Sequence, residues 1–207
     1  MEKEKLIRDL ISGGYLKTPA IIEAFQKIDR QDFVPPELKL QAYSNEPLPI
    51  GHLQTISQPL TVAFMLELLE PKSGEKILDI GAGSGWQSAL LAEIVGETGK
   101  IFAIERILKL KSMAENNLKR YGFIEKGIVK ILWDDGSKGY AKEAPYDKII
   151  AAASAETIPE SWKNQLKVGG RLVAPVKNSI VVLDKISETQ FEEKEYFGFS
   201  FVPLVVD

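Results

Sequence analysis

From residue 76 onward, short runs of β-branched and other apolar residues alternate with stretches in which apolar residues recur every three or four positions. The first pattern is typical of buried strands, and the second is typical of amphipathic helices. The alternation predicts strands at 77–80, 100–105, 128–133, 148–153 and 171–176, with helices at 86–95, 107–121 and 159–166. We therefore expect an α/β fold: a Rossmann-like, doubly wound and mostly parallel sheet with helices on both faces.

The two ends of the chain have other patterns. Two β-rich runs, 180–186 and 191–206, are separated only by a short turn, which predicts a terminal antiparallel hairpin on the sheet edge. Near the start, helix-spaced apolar residues predict two or three short helices, one of them with Thr18 as N-cap and Pro19 as its first residue. These helices would form a small N-terminal lobe.

A segment rich in Pro, Gly, Asn, Ser and Gln separates the helical lobe from the α/β part. Such residues offer turns and polar groups more than core, so they predict a long surface loop. We therefore divide a single domain into a helical lobe at 1–42, a surface loop at 43–59 and an α/β core at 60–207, which opens with a helix at 60–69.

Composition narrows the class of protein. The chain has 207 residues, of which 44% are hydrophobic and 27% charged, as expected for one soluble globular domain. It contains no Cys and one His, which excludes disulfides, thiolate nucleophiles, Cys-ligated metals and His-cluster metal sites. A net charge of −3 disfavours a nucleic-acid binder. No long apolar segment and no apolar leader occur, so we expect a cytoplasmic protein without membrane contact.

A glycine-rich motif, Leu-Asp-Ile-Gly-Ala-Gly-Ser-Gly-Trp at 78–86, joins a predicted strand to a predicted helix. Glycines let a ligand approach the backbone, and a helix N-terminus attracts anionic or polar ligand groups. Ligands of open parallel sheets bind at the carboxyl ends of the strands, where this turn falls. The dinucleotide fingerprint needs a glycine at the position of Trp86, so an NAD-dependent oxidoreductase is disfavoured.

Two carboxylate positions follow the next two strands. Glu105 ends its strand about 20 residues after the glycine turn, where a carboxylate can accept hydrogen bonds from ribose hydroxyls. Asp135, followed by Gly136, could accept a hydrogen bond from an adenine amino group. The alternative is structural, because Glu105 could be a solvated charge and Asp is an ordinary turn residue.

The loop before the helix at 60–69 carries a second group of polar residues. Ser57, followed by Pro59, could cap that helix or could serve the chemistry of a site. His52 fits a turn better than a catalytic base. A serine hydrolase is disfavoured because the Gly-x-Ser-x-Gly pattern fails around Ser84, and no phosphate-binding P-loop is present.

Together these motifs resemble those of the protein-L-isoaspartate O-methyltransferases, over almost the whole chain. The residues that carry the resemblance are Gln54-Thr55-Ile56-Ser57-Gln58-Pro59, 78–86, Ile104-Glu105-Arg106, 135–139, 144–147, 169–172 and Phe201-Val202-Pro203-Leu204. The resemblance implies transfer of a methyl group from S-adenosylmethionine to the free carboxylate of L-isoaspartyl residues in damaged proteins and peptides, the first step of their repair. It implies no nucleic-acid partner, and we expect a monomer.

The resemblance also assigns roles to individual positions. Ser57 matches the active-site serine, which makes the segment 43–59 the active-site loop, and Thr55 and Ile56 beside it are expected to bind the substrate. The cofactor positions are Asp79, Gly81, Gly83, Ser84, Glu105, Asp135 and Gly136. The sequence departs from the family pattern at Leu53, where Gly is usual, at Asp134, where Gly is usual, and at Ala152, where Thr is usual; the stretch after 176 also lacks the usual Gly.

A carboxylate acceptor explains why no catalytic His or Cys is needed, because a group with a pKa of about 4 is already ionised at neutral pH. Two alternatives stay open on the residues alone: a methyltransferase of the same fold with another acceptor, and a protein that binds S-adenosylmethionine or isoaspartyl peptides without turnover. Amino methylation of DNA is disfavoured, since the Asp/Asn-Pro-Pro-Tyr motif is replaced by 152–155.

Overall fold

The fold is an α/β sheet preceded by a helical segment, as a computed structural model shows for residues 2–205. The described elements, in chain order, are α1 (Glu2–Ser12), α2 (Pro19–Lys27), β1 (Leu48–Gly51), β2 (Gln54–Ile56), α3 (Pro59–Leu69), β3 (Lys76–Ile80), α4 (Trp86–Val95), β4 (Lys100–Glu105), α5 (Leu108–Lys119), β5 (Val129–Trp133), β6 (Tyr146–Ala151), α6 (Glu160–Gln165), β7 (Leu166–Val176), β8 (Ser179–Lys185) and β9 (Phe191–Phe197). Short 3₁₀ helices occupy Arg30–Phe33, Pro36–Gln41, Gly136–Lys138 and Ala141–Glu143. Among residues 2–205, the helices are all too short or too polar to cross a membrane.

The main sheet has seven strands in the order β5-β4-β3-β6-β7-β8-β9. The five strands from β5 to β7 pair in parallel, and β8 and β9 pair antiparallel at one edge. The chain builds outward from β3 to β5 and then returns to the other side of β3 with β6. This reversal confirms the predicted doubly wound fold and its terminal antiparallel hairpin, and it leaves a crevice at the carboxyl ends of the central strands.

A hydrophobic core lies on each face of the sheet. The larger cluster joins α1 to α5 with the sheet and includes Phe25 and Trp86, whose rings meet edge to face at 5.6 Å. The smaller cluster packs α6 against the opposite face, around Trp162 and Tyr146. The N-terminal helices are therefore part of the larger core. The division of the chain at residues 42 and 59 stays a prediction.

The N-cap positions differ in detail from the prediction. Thr18 does precede α2, but its hydroxyl donates to the Glu67 carboxylate at 2.7 Å and makes no cap hydrogen bond. Ile107, which the sequence placed inside a helix, is the extended residue before α5. Its N–H donates to the Glu105 carboxylate at 2.8 Å, so this helix begins one residue later than expected.

The segment 43–59 was predicted to be a loop, and that prediction was wrong in part because it contains the antiparallel hairpin β1–β2. Leu48, Ile50 and Ile56 point into the larger core and anchor the hairpin. The turn places His52 and Leu53 at φ of 54° and 59°, which confirms His52 as a turn residue. Leu53 is 98% exposed in a conformation that favours glycine, the residue usual in the resembled family at this position.

The end of the chain was predicted as strand up to residue 206, which was wrong beyond Phe197. Gly198, with φ of 95°, turns the chain away from the sheet edge, and residues 199–205 cross its carboxyl end. Hydrogen bonds from Ser154 N to the Val202 carbonyl at 2.8 Å and from Leu204 N to the Ser154 carbonyl at 2.7 Å hold this tail. These hydrogen bonds replace the strand pairing that was expected for the tail. Residue 206 lies outside the described residues.

Candidate active site

A cavity of about 360 Å³, the first cavity, opens at the carboxyl ends of β3, β4 and β6. Its lining combines backbone of the glycine turn, one buried carboxylate and several aliphatic side chains. The lining residues are Gln54, Thr55, Ile80, Gly81, Gly83, Ile104, Glu105, Arg106, Ile107, Leu110, Gly136, Ala152, Ala153 and 202–205. Of the seven predicted cofactor positions, Gly81, Gly83, Glu105 and Gly136 reach the cavity.

The glycine turn brings backbone to the cavity wall. Gly81 and Gly83 have φ of 84° and 55°, a region that a side chain strongly disfavours. The N–H groups of Gly81 and Ala82 donate to the Ile104 carbonyl at 2.9 and 3.0 Å, which fixes the turn to the end of β4. At Gly85 a Cβ would lie 3.2 Å from the backbone of Ala114, so this glycine lets α4 pack closely on α5.

Among the described residues, Asp79 lies behind the wall of the first cavity, and Ser84 lines a small recess beside that cavity. The Asp79 carboxylate is fully buried and accepts hydrogen bonds from Gln87 Nε2 at 2.7 Å and Ser88 Oγ at 2.5 Å. Burial raises the pKa of Asp79 to about 6. The Ser84 carbonyl accepts from Asn117 Nδ2 at 2.9 Å. These contacts clamp the first turn of α4 onto β3 and α5, so Asp79 shapes the glycine turn from outside the cavity.

Glu105 combines a structural role with exposure to the cavity. Its two carboxylate oxygens accept the N–H groups of Gly83 and Ile107, each at 2.8 Å, and the residue is 6% exposed. Burial raises the pKa of Glu105, and the hydrogen bonds from Ile107 and Gly83 oppose that rise. Each carboxylate oxygen has a second lone pair, so the group can also accept hydroxyl donors from a ligand in the cavity.

The segment after β5 forms another part of the wall. Asp135 Oδ1 accepts the N–H of Ser137 at 2.9 Å and so caps a 3₁₀ helix. Gly136 lines the cavity, and a Cβ at this position would lie 2.6 Å from Ile80 Cγ2. Glycine is therefore needed here for the close approach to β3.

A second cavity of about 310 Å³ adjoins the first. It is lined by Pro47, Thr55, Ser57, Gln58, Thr61, Ala152, Ser200, Phe201 and Val202. The two cavities share Thr55, Ala152 and Val202, and a small recess between them is lined in part by Thr55, Ile56 and Ser57. The predicted substrate loop therefore lies where a ligand in one cavity meets a ligand in the other.

Ser57 was predicted to be either a helix cap or a site residue. The residue before α3 is Gln58, whose side chain makes no cap hydrogen bond, and in the first turn the N–H of Leu60 donates to Asn45 Oδ1 at 3.0 Å, so the hypothesis that Ser57 caps this helix was wrong. Ser57 instead lines the second cavity and the recess. Its role toward a substrate stays a prediction.

Two parts of the site were missed by the sequence prediction. The tail contributes Val202, Pro203 and Leu204 to the first cavity and Phe201 to the second. The signal was present in the Phe-Val-Pro-Leu motif, but its alternating pattern was assigned to a strand. Arg30, buried among apolar residues, donates to the Ser57 carbonyl at 3.0 Å. No local pattern distinguishes this arginine from a surface one.

The fold and the two joined cavities define the class of this protein as a Rossmann-like methyltransferase. A buried carboxylate at the end of the second parallel strand lies where a ribose can be bound in folds of this kind, and aliphatic side chains line the rest of the first cavity. The second cavity leaves room for an acceptor beside it.

The chain belongs to the protein-L-isoaspartate(D-aspartate) O-methyltransferase (PCMT) family, whose sequence model matches residues 1–207. Two curated relatives named protein-L-isoaspartate O-methyltransferase support the assignment. One, from Methanopyrus kandleri, is 43% identical over 98% of this chain and 91% of its own length. The other, from Ignicoccus hospitalis, is 46% identical over 99% of this chain and 97% of its own length.

Solved structures agree with this assignment. A protein-L-isoaspartate O-methyltransferase superposes with a TM-score of 0.86 at 27% identity, covering 97% of this chain and 65% of that one. A Plasmodium falciparum structure assigned to the same family superposes with a TM-score of 0.87 at 22% identity, covering 97% of each chain. That protein holds S-adenosyl-L-homocysteine, and at this identity the likeness shows the fold alone.

The position of Glu105 generates a prediction about nucleoside binding. In Glu105→Gln, the side-chain amide nitrogen of the new glutamine faces the backbone N–H of Gly83 or Ile107. The substitution also removes the charged acceptor for ribose hydroxyls. We expect calorimetry with S-adenosylhomocysteine to show binding weaker by about 1 to 3 kcal/mol, roughly 5- to 150-fold. Glu115→Gln, on α5 in an ion pair with Lys111, is the matched control and should bind like the wild type.

An unchanged dissociation constant for Glu105→Gln would leave Glu105 with its structural role only. Saturable binding of NAD by the wild type, with no binding of S-adenosylhomocysteine, would contradict the assignment of the cavity itself.

Proposed function

We propose that the protein transfers a methyl group from S-adenosylmethionine to the free carboxylate of L-isoaspartyl residues in damaged proteins and peptides, which starts their repair. The observation that carries the proposal is the shared wall of the two cavities at Thr55, Ala152 and Val202. It allows a donor in the first cavity and an acceptor in the second to meet. Family membership over the whole chain supplies the acceptor class.

The residues of the first cavity fit S-adenosylmethionine. Glu105 would accept the ribose hydroxyls, Gly136 and Ile80 would face the adenine ring, and the backbone of Gly81 and Gly83 would lie against the rest of the cofactor. When bound, this cofactor supplies a methyl group on a positively charged sulfur. Asp79 would act by holding the glycine turn in place.

The second cavity fits a carboxylate acceptor that needs no general base. Bound S-adenosylmethionine would supply its methyl carbon to an ionised carboxylate oxygen, and the electron pair of the broken carbon–sulfur bond would stay on sulfur. The two charges disappear together and no proton moves. The chain's task is therefore to hold the acceptor in line, with the Ser57 hydroxyl as a hydrogen-bond donor to the carboxylate. Such positioning can contribute roughly 7 to 11 kcal/mol.

The later steps and the setting of the protein belong to the same proposal. The methyl ester would cyclise to a succinimide without the enzyme as the neighbouring backbone nitrogen displaces methanol. Isoaspartyl-containing proteins and peptides would be its partners. A monomeric state and a cytoplasmic location stay predictions.

The choice of acceptor can be tested with two peptides of the same sequence. One carries L-isoaspartate and the other L-aspartate, so they differ by one methylene moved between backbone and side chain. We expect labelled methyl transfer to the first and nearly none to the second, because the site must fix both the carboxylate and the rerouted backbone. Equal rates on both peptides would indicate another acceptor. No transfer to either, with S-adenosylhomocysteine still bound, would do the same.

The proposed role of Ser57 makes a separate prediction. Ser57→Ala should lower single-turnover methylation by roughly one to three orders of magnitude, each tenfold step being about 1.4 kcal/mol. Affinity for S-adenosylhomocysteine should be largely kept. Ser57→Asp should be slower still, because its carboxylate would repel the attacking carboxylate in a poorly screened site. Ser44→Ala, which changes an exposed hydroxyl on the same segment, is the control. Wild-type turnover in Ser57→Asp would show that Ser57 has no role toward the substrate.

A further inference from the structure

Arg30 is a fully charged side chain buried behind the second cavity, with 1% of its surface exposed. Its guanidinium donates to the carbonyl oxygens of Ala42 at 2.6 Å, Glu46 at 3.0 Å and Ser57 at 3.0 Å. It also lies 5.2 Å from the centre of the Trp86 ring. One side chain therefore joins the helical segment, the active-site loop and the helix that follows the glycine turn.

The charge of Arg30 is not neutralised by an ion pair among residues 2–205. Its partners are carbonyl oxygens and an aromatic face. Burial lowers the pKa of Arg30 to about 10, so the side chain stays charged at neutral pH. Taking a charge out of water without a counter-ion costs free energy, and proteins usually pair such groups. An unbalanced buried cation beside a cavity suggests that its counter-ion arrives with a ligand.

The second cavity lacks charge of its own. None of its described lining residues is Lys, Arg, Asp or Glu. The buried carboxyl groups of Asp79 and Glu105, on the side of the first cavity, disfavour an anion nearby. Arg30 reaches this cavity through one residue, because it holds the carbonyl of Ser57, whose side chain lines the cavity.

We propose that Arg30 is the positioning residue that selects a negatively charged acceptor. It fixes the backbone of the active-site loop, and its uncompensated charge attracts the acceptor carboxylate across the Ser57 peptide group. The inference rests on the proposed function. The acceptor loses its charge during methyl transfer, so Arg30 favours the bound carboxylate over the transition state. Loss of this charge should therefore raise KM without lowering kcat.

The test separates the charge of the ligand from the charge of the protein. Two peptides of one sequence are used, one with L-isoaspartate and one with L-isoasparagine, in which a neutral amide replaces the free carboxylate. Their binding is measured by calorimetry with S-adenosylhomocysteine present, so that no reaction occurs and no sulfonium charge contributes. The preference for the carboxylate peptide is compared between wild type and variants, which isolates the Arg30 contribution.

Arg30→Met removes the charge and keeps an apolar contact with Trp86. We expect the wild type to prefer the carboxylate peptide about tenfold, or about 1.4 kcal/mol, and Arg30→Met to lose most of that preference. Arg120→Met removes an arginine from an exposed ion pair with Asp32 and should keep the wild-type preference. An undiminished preference in Arg30→Met would overturn the inference.

Arg30→Lys keeps the positive charge but loses the planar guanidinium group. This variant remains informative if Arg30→Met fails to fold. We expect weaker binding of both peptides, because the loop is held less firmly, with the carboxylate preference retained. Loss of that preference in a folded Arg30→Lys would show that charge is not the cause. This inference alone is overturned if the wild type methylates the isoaspartyl peptide and Arg30→Met prefers the carboxylate peptide over the amide peptide as strongly as the wild type does. A wild type that does not methylate it would overturn the proposed function.

Discussion

The structure depends on one carboxylate that is hydrogen-bonded to backbone just beyond the carboxyl ends of β3 and β4. Glu105 accepts the N–H of Gly83 from the turn after β3 and the N–H of Ile107 at the start of α5. Two backbone segments that would otherwise present unpaired donors are thereby satisfied and brought to the same wall. A hydrogen bond to an ionised group is stronger than a neutral one, so the arrangement is rigid. The first cavity takes its shape from this contact.

The second cavity follows from what the sheet leaves open. The tail after Gly198 crosses the carboxyl ends of the strands, and Thr55 of the hairpin β1–β2 lines both cavities beside it. Together they border the second cavity, whose lining carries the hydroxyl groups of Thr55, Ser57, Thr61 and Ser200. The chemistry proposed for this space moves no proton, so the absence of a base among its described lining residues agrees with it. The position of the acceptor and the complementarity between its charge and the site then determine the rate of methyl transfer and the choice of acceptor.

Local patterns in the sequence were enough to predict the sheet, the glycine turn and Glu105. They succeeded because β3, β4 and their helices alternate at regular spacing, and because the turn and the carboxylate lie at fixed positions relative to strand ends. The hairpin was missed since Pro49 and Gly51 weaken its strand pattern and its stability comes from contacts of Leu48, Ile50 and Ile56 with the distant core. Asp79 was placed among the ligand contacts by its position in the motif, but its partners are Gln87 and Ser88. The burial of Arg30 depends on segments far apart in the chain.

In the proposed reaction, a nucleoside occupies the first cavity and a carboxylate peptide the second. The most direct measurement is a crystal structure of the protein with S-adenosylhomocysteine and an L-isoaspartyl peptide. We expect the ribose hydroxyls within hydrogen-bond distance of the Glu105 carboxylate, and the free carboxylate of the peptide between Thr55 and Ser57, facing the shared wall. A peptide seated outside the second cavity, or a ribose turned away from Glu105, would contradict the account.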